Sequence, residues 1–118
     1  MPKVLGEFEI LILLAIVRLK DEAYGATIHR EIEVRVGRSV AIGAIYTGLA
    51  RLLRNGYVKS TIGDPTPQRG GRRKKFYQIR PAGAVALTRS IDAHRRMIEG
   101  IEHDLEALIG TVGARRST

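Results

Sequence analysis

Three successive stretches of this chain carry apolar residues at helical spacing before any strand pattern appears. The first, residues 5–19, has acidic residues in its first turns and basic residues in its last, as the helix dipole favours. The second, residues 28–36, repeats its apolar stripe every four residues and ends at Gly37. The third, residues 42–53, keeps its apolar side chains on one face and ends at Asn55-Gly56. We therefore predict three helices around a common core.

A β-hairpin with a strongly basic connection is predicted after the third helix. Residues 57–62 and 76–80 have the β-prone, alternating character of strands. The connection is barred from forming a helix by two prolines and two glycines within residues 65–80, a segment that includes no acidic residue. Taken alone, such a charge run is as consistent with a solvated loop as with a phosphate contact.

The last third of the chain carries an apolar heptad pattern. Pro81 suits the first turn of a helix, and seven positions follow at alternating spacings of four and three residues. These seam positions are Leu87, Ile91, His94, Ile98, Ile101, Leu105 and Leu108. Because a small domain cannot cover a seam of this length on a helix of roughly 30 residues, we expect a partner helix, and a second copy of the chain is the expected partner.

Composition narrows the class of partner and the compartment. The formal net charge is +8 and the sequence pI is about 10.4, which suits a polyanion; nucleic acid and acidic membranes meet this requirement equally. The chain has no cysteine, so disulfides, thiolate metal sites and cysteine nucleophiles are excluded. The apolar run 10–17 is far shorter than the ~20 residues that cross a bilayer, and Glu7 and Glu9 precede it where a signal peptide would be basic. We expect a cytoplasmic protein without a membrane segment.

Three helices followed by a hairpin with a basic tip is the order of a winged helix-turn-helix, in which the third helix enters the major groove of DNA. The predicted fold is therefore mainly α with a small β-hairpin, extended by a long, coiled-coil-like C-terminal helix. We expect a DNA-binding domain over residues 1–80, a dimerisation helix over 81–110 and a flexible tail over 111–118.

The third helix supplies most candidate DNA contacts. With its apolar face inside, five residues point outward, and Tyr46 lies at the flank of that face. The five are Gly43, Ala44, Thr47, Arg51 and Arg54. Small residues near the helix start would let its backbone approach DNA, the threonine could touch a base edge, and the arginines could reach phosphate or guanine. Ordinary exposed surface remains the alternative for Thr47 and Arg54, and partial burial for Tyr46.

Several short motifs carry a family resemblance. They are Leu5-Gly6-Glu7-Phe8-Glu9-Ile10-Leu11-Ile12-Leu13, Ala23-Tyr24-Gly25, Gly43-Ala44-Ile45-Tyr46, Leu49-Ala50-Arg51-Leu52, Gly70-Gly71-Arg72-Arg73-Lys74-Lys75-Phe76-Tyr77 and Pro81-Ala82-Gly83. Individually they are weak, but their order and spacing over residues 5–90 resemble the PadR family of bacterial transcriptional regulators.

The resemblance implies a winged-helix dimer that represses by covering an inverted-repeat operator. It also implies that the C-terminal helix forms the dimer contact, as in the smaller subclass of the family. In many members a small molecule releases the protein from DNA. The DNA-contact residues that it implies are Tyr24, Gly43, Ala44, Tyr46, Thr47, Arg72, Arg73, Lys74 and Lys75; Arg69 is added from the same basic loop.

The chain departs from the family pattern at three points. Ala41 stands where a Ser or Thr commonly begins the third helix, and Arg80 stands where a Thr commonly precedes the proline of the last helix. Each change removes a side-chain oxygen that would cap the start of the helix and stabilise it by about 1 kcal/mol. The chain also has no tryptophan, so it does not encode the aromatic sandwich with which some relatives hold planar compounds.

Catalysis, cofactors and metals are not predicted. The sequence offers no nucleophile–base pair, carboxylate dyad or phosphate-cradling glycine loop. His29 and His103 have no partner at metal-ligand spacing. His94 is either a hydrated, register-setting position on the seam or a pH-dependent switch at the interface. Exposed, solvated surface is expected for the acidic residues Glu31, Glu33, Glu99, Glu102, Asp104 and Glu106.

Two other functions fit the same sequence. The first is an architectural protein that binds DNA without choosing a sequence. The second is a protein-interaction module whose seam docks a different coiled-coil partner, which would make the basic loop incidental.

Overall fold

The computed structural model describes residues 4–63 and 74–116, with the backbone alone for 111–116. Within these ranges the chain forms five α-helices, a 3₁₀ turn at Lys20–Glu22 and two strands. The helices are α1 Glu7–Leu19, α2 Gly25–Val36, α3 Ile42–Arg54, α4 Pro81–Ile98 and α5 Glu102–Arg116, and the strands are β1 Val58–Ile62 and β2 Lys75–Ile79. None of the described helices is long and apolar enough to span a bilayer.

The predicted three helices and hairpin are confirmed, with most ends shifted by no more than two residues and α2 beginning at Gly25, three residues before the predicted stretch. Gly37 ends α2 in the left-handed conformation, at φ +78°, which glycine adopts without strain. β1 and β2 pair antiparallel, with Val58 opposite Ile79. The segment before α2 adds to this sheet, because the Tyr77 N–H donates to the Ala23 carbonyl at 2.8 Å. The hairpin is therefore fixed to the helical core at its base.

The core lies where α1, α2 and α3 meet the base of the hairpin. Its fully buried members are Ile12, Leu13, Ile28, Ile45, Leu49, Leu52 and Val58. Apart from Val58 on β1, these are apolar positions of the predicted helical stripes, so periodicity identified the inner faces of the helices correctly. With that face inside, the opposite side of α3 is left to solvent.

The predicted single C-terminal helix is wrong, because the structure divides it in two. α4 ends at Ile98, Gly100 takes φ +88°, and α5 begins at Glu102. Glycine is a poor helix former that enters the left-handed region freely, so the chain turns there. The heptad pattern conceals this break, because Ile98 and Ile101 remain three residues apart on either side of it. α5 then continues to Arg116, beyond the predicted end at residue 110.

The seam residues divide between the core and the surface. Leu87 is buried in the chain's own core, and the half-buried Ile91 packs against that core. The later apolar positions are exposed: Ile98 by 44%, Ile101 by 42%, Leu105 by 44% and Leu108 by 64%. His94 is also exposed, and its Nδ1 lies 2.8 Å from the Ser90 carbonyl oxygen. The first seam position thus holds α4 to the domain, and the last four remain uncovered within the chain.

Candidate functional site

The outer face of α3 is a small-residue surface flanked by basic side chains. Gly43, Thr47, Arg51 and Arg54 are exposed, as the helical pattern predicts. Apart from the backbone of α3 itself, no atom of residues 4–63 and 74–110 lies within 4 Å of the place where a side chain on Gly43 would begin, so the helix backbone is accessible there. Thr47 donates its hydroxyl proton to the Gly43 carbonyl at 2.9 Å, which leaves the hydroxyl oxygen free to accept.

Two positions on α3 differ from the sequence prediction. Ala44 is half-buried rather than outward, because it lies about 100° around the helix from Gly43 and borders the start of α1. Ala50 is exposed between Tyr46 and Arg54, although it is not among the residues predicted to point outward. Its spacing of three from Thr47 and four from Arg54 was the signal that could have found it.

Lys74 lies at the loop end of the hairpin, just before β2, and its side chain lies over the ring of Tyr24. Lys74 Nζ lies 4.4 Å from the ring centroid and 3.3 Å from the hydroxyl oxygen. Tyr24 also packs edge-to-face on Phe76, with ring centroids 5.5 Å apart. The aromatic pair orients the lysine by cation–π attraction and leaves its ammonium group exposed. Tyr24 and Lys74, fifty residues apart in sequence, therefore form one polar surface.

Tyr46 extends this surface onto α3. Its ring lies against Gly25, the first residue of α2, so closely that a side chain on Gly25 would begin 2.6 Å from the ring carbon Cζ. Tyr46 is nevertheless 53% exposed. Burial raises the pKa of the Tyr77 hydroxyl, and the neighbouring Tyr46 raises it further. Lys74 thus contacts Tyr24, and Tyr46 covers the adjacent, buried Gly25; we call these four residues the tyrosine bridge.

The basic groups around the tyrosine bridge are free to meet an external anion. In the described part of the chain, no acidic side chain pairs with Arg51, Arg54, Lys74 or Lys75. Lys75 is exposed, with Nζ 5.8 Å from the Tyr77 ring centroid. The predicted contacts Arg69, Arg72 and Arg73 lie outside the described residues. No cluster of three or more His, Cys, Asp or Glu side chains that could hold a metal occurs within residues 4–63 and 74–110.

Glu33 does not have the solvated role that the sequence predicts for it. Its Oε2 accepts a hydrogen bond from the Val40 N–H at 2.9 Å, across the turn between α2 and α3. His29, one helical turn earlier, lies 2.6 Å from the carbonyl oxygen of the same residue. The spacing of four between His29 and Glu33 puts both on one face of α2, which was the available signal.

A groove runs between α1 and α4, beside the exposed seam positions. Its volume is about 510 Å³. Apolar residues from α1 and α4 line it, namely Ile10, Leu11, Ile91 and Ile98, and His94 stands at its edge. Ile98 lines the groove and is also the first of the uncovered seam positions, so the groove meets the uncovered seam at the end of α4.

A model of one protein family matches residues 13–89, and its description is "Transcriptional regulator PadR-like family". A search of curated proteins found no match. The family match covers α1 to α4, so it includes both α3 and the tyrosine bridge.

Solved structures share the fold. A PadR family transcription regulator from Clostridium difficile R20291 is 25% identical, with a TM-score of 0.67, and the match covers 85% of this chain and 99% of that one. A transcriptional regulator from Clostridium thermocellum is 24% identical, with a TM-score of 0.68 over 83% of this chain and 89% of that one. RosR from H. salinarum is 21% identical, with a TM-score of 0.61 over 96% and 94%.

The family match spans more than half of the chain, and the two clostridial structures share its fold. The free cations and accessible helix backbone on the outer side of α3 are the features expected of a DNA-reading domain. The chain belongs to the PadR-like family of transcriptional regulators.

Proposed function

We propose that the protein is a homodimeric, sequence-specific repressor that binds an inverted-repeat DNA operator in the cytoplasm. The observation that carries the proposal is the tyrosine bridge, which runs from Lys74, at the loop end of the hairpin, through Tyr24 and Gly25 to Tyr46 on α3. A helix with an open backbone and a basic hairpin on one surface can enter a major groove while contacting the adjacent phosphates.

Roles on this surface follow from side-chain chemistry. Gly43 lets the helix backbone approach the bases, and Thr47 accepts from a base edge or contacts a thymine methyl. Arg51 and Arg54 reach phosphate or guanine, and Lys74 and Lys75 bind phosphate along the flanking backbone. The loop residues Arg69, Arg72 and Arg73 have the chemistry to extend the phosphate contacts.

The dimer is proposed from the exposed apolar residues of α4 and α5. Ile98, Ile101, Leu105 and Leu108 have the character of an interface core and no cover within the chain. A twofold axis through this surface would pair two copies of α3, and successive major grooves are roughly 34 to 36 Å apart. A dimer with twofold symmetry would then bind preferentially to an operator whose two halves are inverted repeats.

Binding to DNA fragments tests the proposal directly. We expect fluorescence anisotropy to show that a fragment selected from the host genome binds about 10³-fold more tightly than a random fragment of equal length at the same salt concentration. Equal affinity for both fragments would support the architectural function instead. A monomer in sedimentation would support the protein-interaction module, whose partner would be a different chain.

One of the grooves beside α4 is a candidate location for the small molecule that the resemblance implies. The groove of about 510 Å³ between α1 and α4 is apolar and borders the proposed dimer interface. A ligand there would compete with or reshape the contact between copies. We place a possible effector in that groove and assign it no chemical identity.

Changing Lys74 to Ala is expected to weaken binding to all DNA sequences alike. The slope of the logarithm of affinity against the logarithm of salt concentration should become shallower by about one unit per protomer. The reason is that one phosphate contact, and the counterion that it releases, are lost. The measurement is the logarithm of affinity against the logarithm of salt concentration. Arg35→Ala is the matched control: it also removes one positive charge, but Arg35 pairs with Glu31 near the opposite end of α2 from Tyr24. An unchanged slope for Lys74→Ala would contradict the phosphate contact.

Changing Gly25 to Ala is expected to weaken operator binding about tenfold while leaving the fold stable. The new methyl group would displace the ring of Tyr46, which is a movable, half-exposed side chain. An alanine also favours the first turn of a helix over glycine. The measurement is a double-mutant cycle in which Tyr46→Ala gives a similar loss and the double variant adds little to it. Additive losses would show that Gly25 does not act through Tyr46.

A further inference from the structure

The turn between α2 and α3 is held by two side chains that bind the same residue. Val40 is the next-to-last residue before α3, and its side chain is buried. Its N–H donates to Glu33 Oε2 at 2.9 Å, and its carbonyl oxygen lies 2.6 Å from His29 Nε2. Because a carbonyl only accepts, His29 must carry its proton on Nε2. Both backbone polar groups of Val40 are therefore bound from one face of α2.

The two side chains that hold Val40 also lie close to each other. The two side chains are four residues apart on α2, and Glu33 Oε2 lies 3.5 Å from His29 Nε2. Each group faces the other and the Val40 backbone, so the three form one unit, which we call the Val40 clamp. Both side chains are only partly exposed, at 26% for His29 and 33% for Glu33, so water competes with these bonds less than at an open surface.

The start of α3 lacks the usual side-chain cap. Ala41 occupies the N-cap position and has no oxygen to accept from the first N–H groups of the helix. The clamp acts one residue earlier and fixes the direction in which the chain enters α3. Without it, Val40 would be held through its apolar side chain alone, which anchors position but not the orientation of the backbone.

We propose that His29 and Glu33 are positioning residues for DNA recognition: through Val40 they fix the angle at which α3 is presented to the major groove. This inference rests on the proposed function, because it assigns the clamp a role in the DNA contact of that same helix. A loosened α3 would have to be ordered when DNA binds, and that cost would appear as lost affinity.

The test compares Glu33→Ala, Glu33→Gln and the unmodified protein. Loss of one such hydrogen bond corresponds to about a fivefold loss of affinity per half-site, and therefore about 25-fold for a dimer on two half-sites. We expect this loss for Glu33→Ala and for His29→Ala. Glu33→Gln keeps an oxygen for the Val40 N–H and should bind within about twofold of the unmodified protein.

Glu31→Ala is the matched control on the same helix. It removes one negative charge, as both Glu33 variants do, and its side chain is 24% exposed, but it contacts Arg35, at 2.8 Å, rather than the turn before α3. Any general electrostatic gain in DNA affinity is therefore common to all three variants. We expect Glu31→Ala to bind within about twofold of the unmodified protein.

Amide hydrogen exchange at Val40, measured without DNA, reports on the clamp itself. Exchange should accelerate in Glu33→Ala and stay slow in Glu33→Gln and Glu31→Ala. Unchanged exchange in Glu33→Ala, or faster exchange with full operator affinity, would overturn the positioning role. Failure of the proposed function would appear differently, as an absence of sequence preference in the unmodified protein.

Discussion

Replacing Leu105 with Asp is expected to separate the proposed dimer into monomers and to weaken operator binding by about 100-fold or more. Leu105 lies on α5 in line with Ile101 and Leu108, and all three are exposed within the chain. A partner helix would bury this position, and twofold symmetry would bury two carboxylates without a positive partner. Each monomer would then bind one half-site and lose the gain from simultaneous contact.

Analytical ultracentrifugation at matched concentrations measures the first effect, and anisotropy with a full operator measures the second. His103→Asp is the control, because it introduces the same charge about 200° around α5 from Leu105. It should remain dimeric and bind normally. A dimeric Leu105→Asp variant would place the interface on another surface.

Replacing Gly83 with Ala is expected to lower the free energy of unfolding by about 2–3 kcal/mol. The added methyl group would overlap the carbonyl oxygen of Tyr57 and lie 3.1 Å from Ile79 Cγ1. The Tyr57 carbonyl is backbone and already accepts from the Arg80 N–H at 2.9 Å, so it cannot swing away as a side chain would. The first turn of α4 would have to move off the hairpin base.

Urea unfolding followed by circular dichroism measures this loss. Gly43→Ala is the control, because Gly43 is also a helical glycine but has open space around it. Its unfolding free energy should rise by up to about 1 kcal/mol, since alanine favours the helix. If Gly83→Ala unfolded at the same urea concentration as Gly43→Ala, the close contact between α4 and Tyr57 would be wrong.

The fold was largely predictable because its signals are local. Apolar spacing located the inner faces of α1, α2 and α3, and glycine at Gly37 and after Asn55 marked where helices end. The exception was the C-terminal helix. A heptad pattern reports which residues share a helix face, but it does not depend on the residues between the seam positions. Gly100 is one of those residues, so the pattern did not predict the helix break there.

The candidate site was predictable only as a set of residue types. The sequence assigned Tyr24, Tyr46 and Lys74 to one function through a family resemblance, and it could not place them together. The contact of Lys74 with Tyr24 and that of Tyr46 with Gly25 depend on how β2 and α3 each pack on the start of α2. The Val40 clamp was missed for the same reason: Glu33 looks like a solvated acid until the following turn brings a backbone N–H to it.

The order of the helices and strands, their inner faces and the concentration of positive charge were determined by the sequence itself, because each depends on residues near one another in the chain. The tertiary structure alone decided which seam residues are core and which are surface, and how Lys74, Tyr24 and Tyr46 meet. Those outcomes depend on contacts between residues that are far apart in the sequence. No local pattern encodes which distant residues come together.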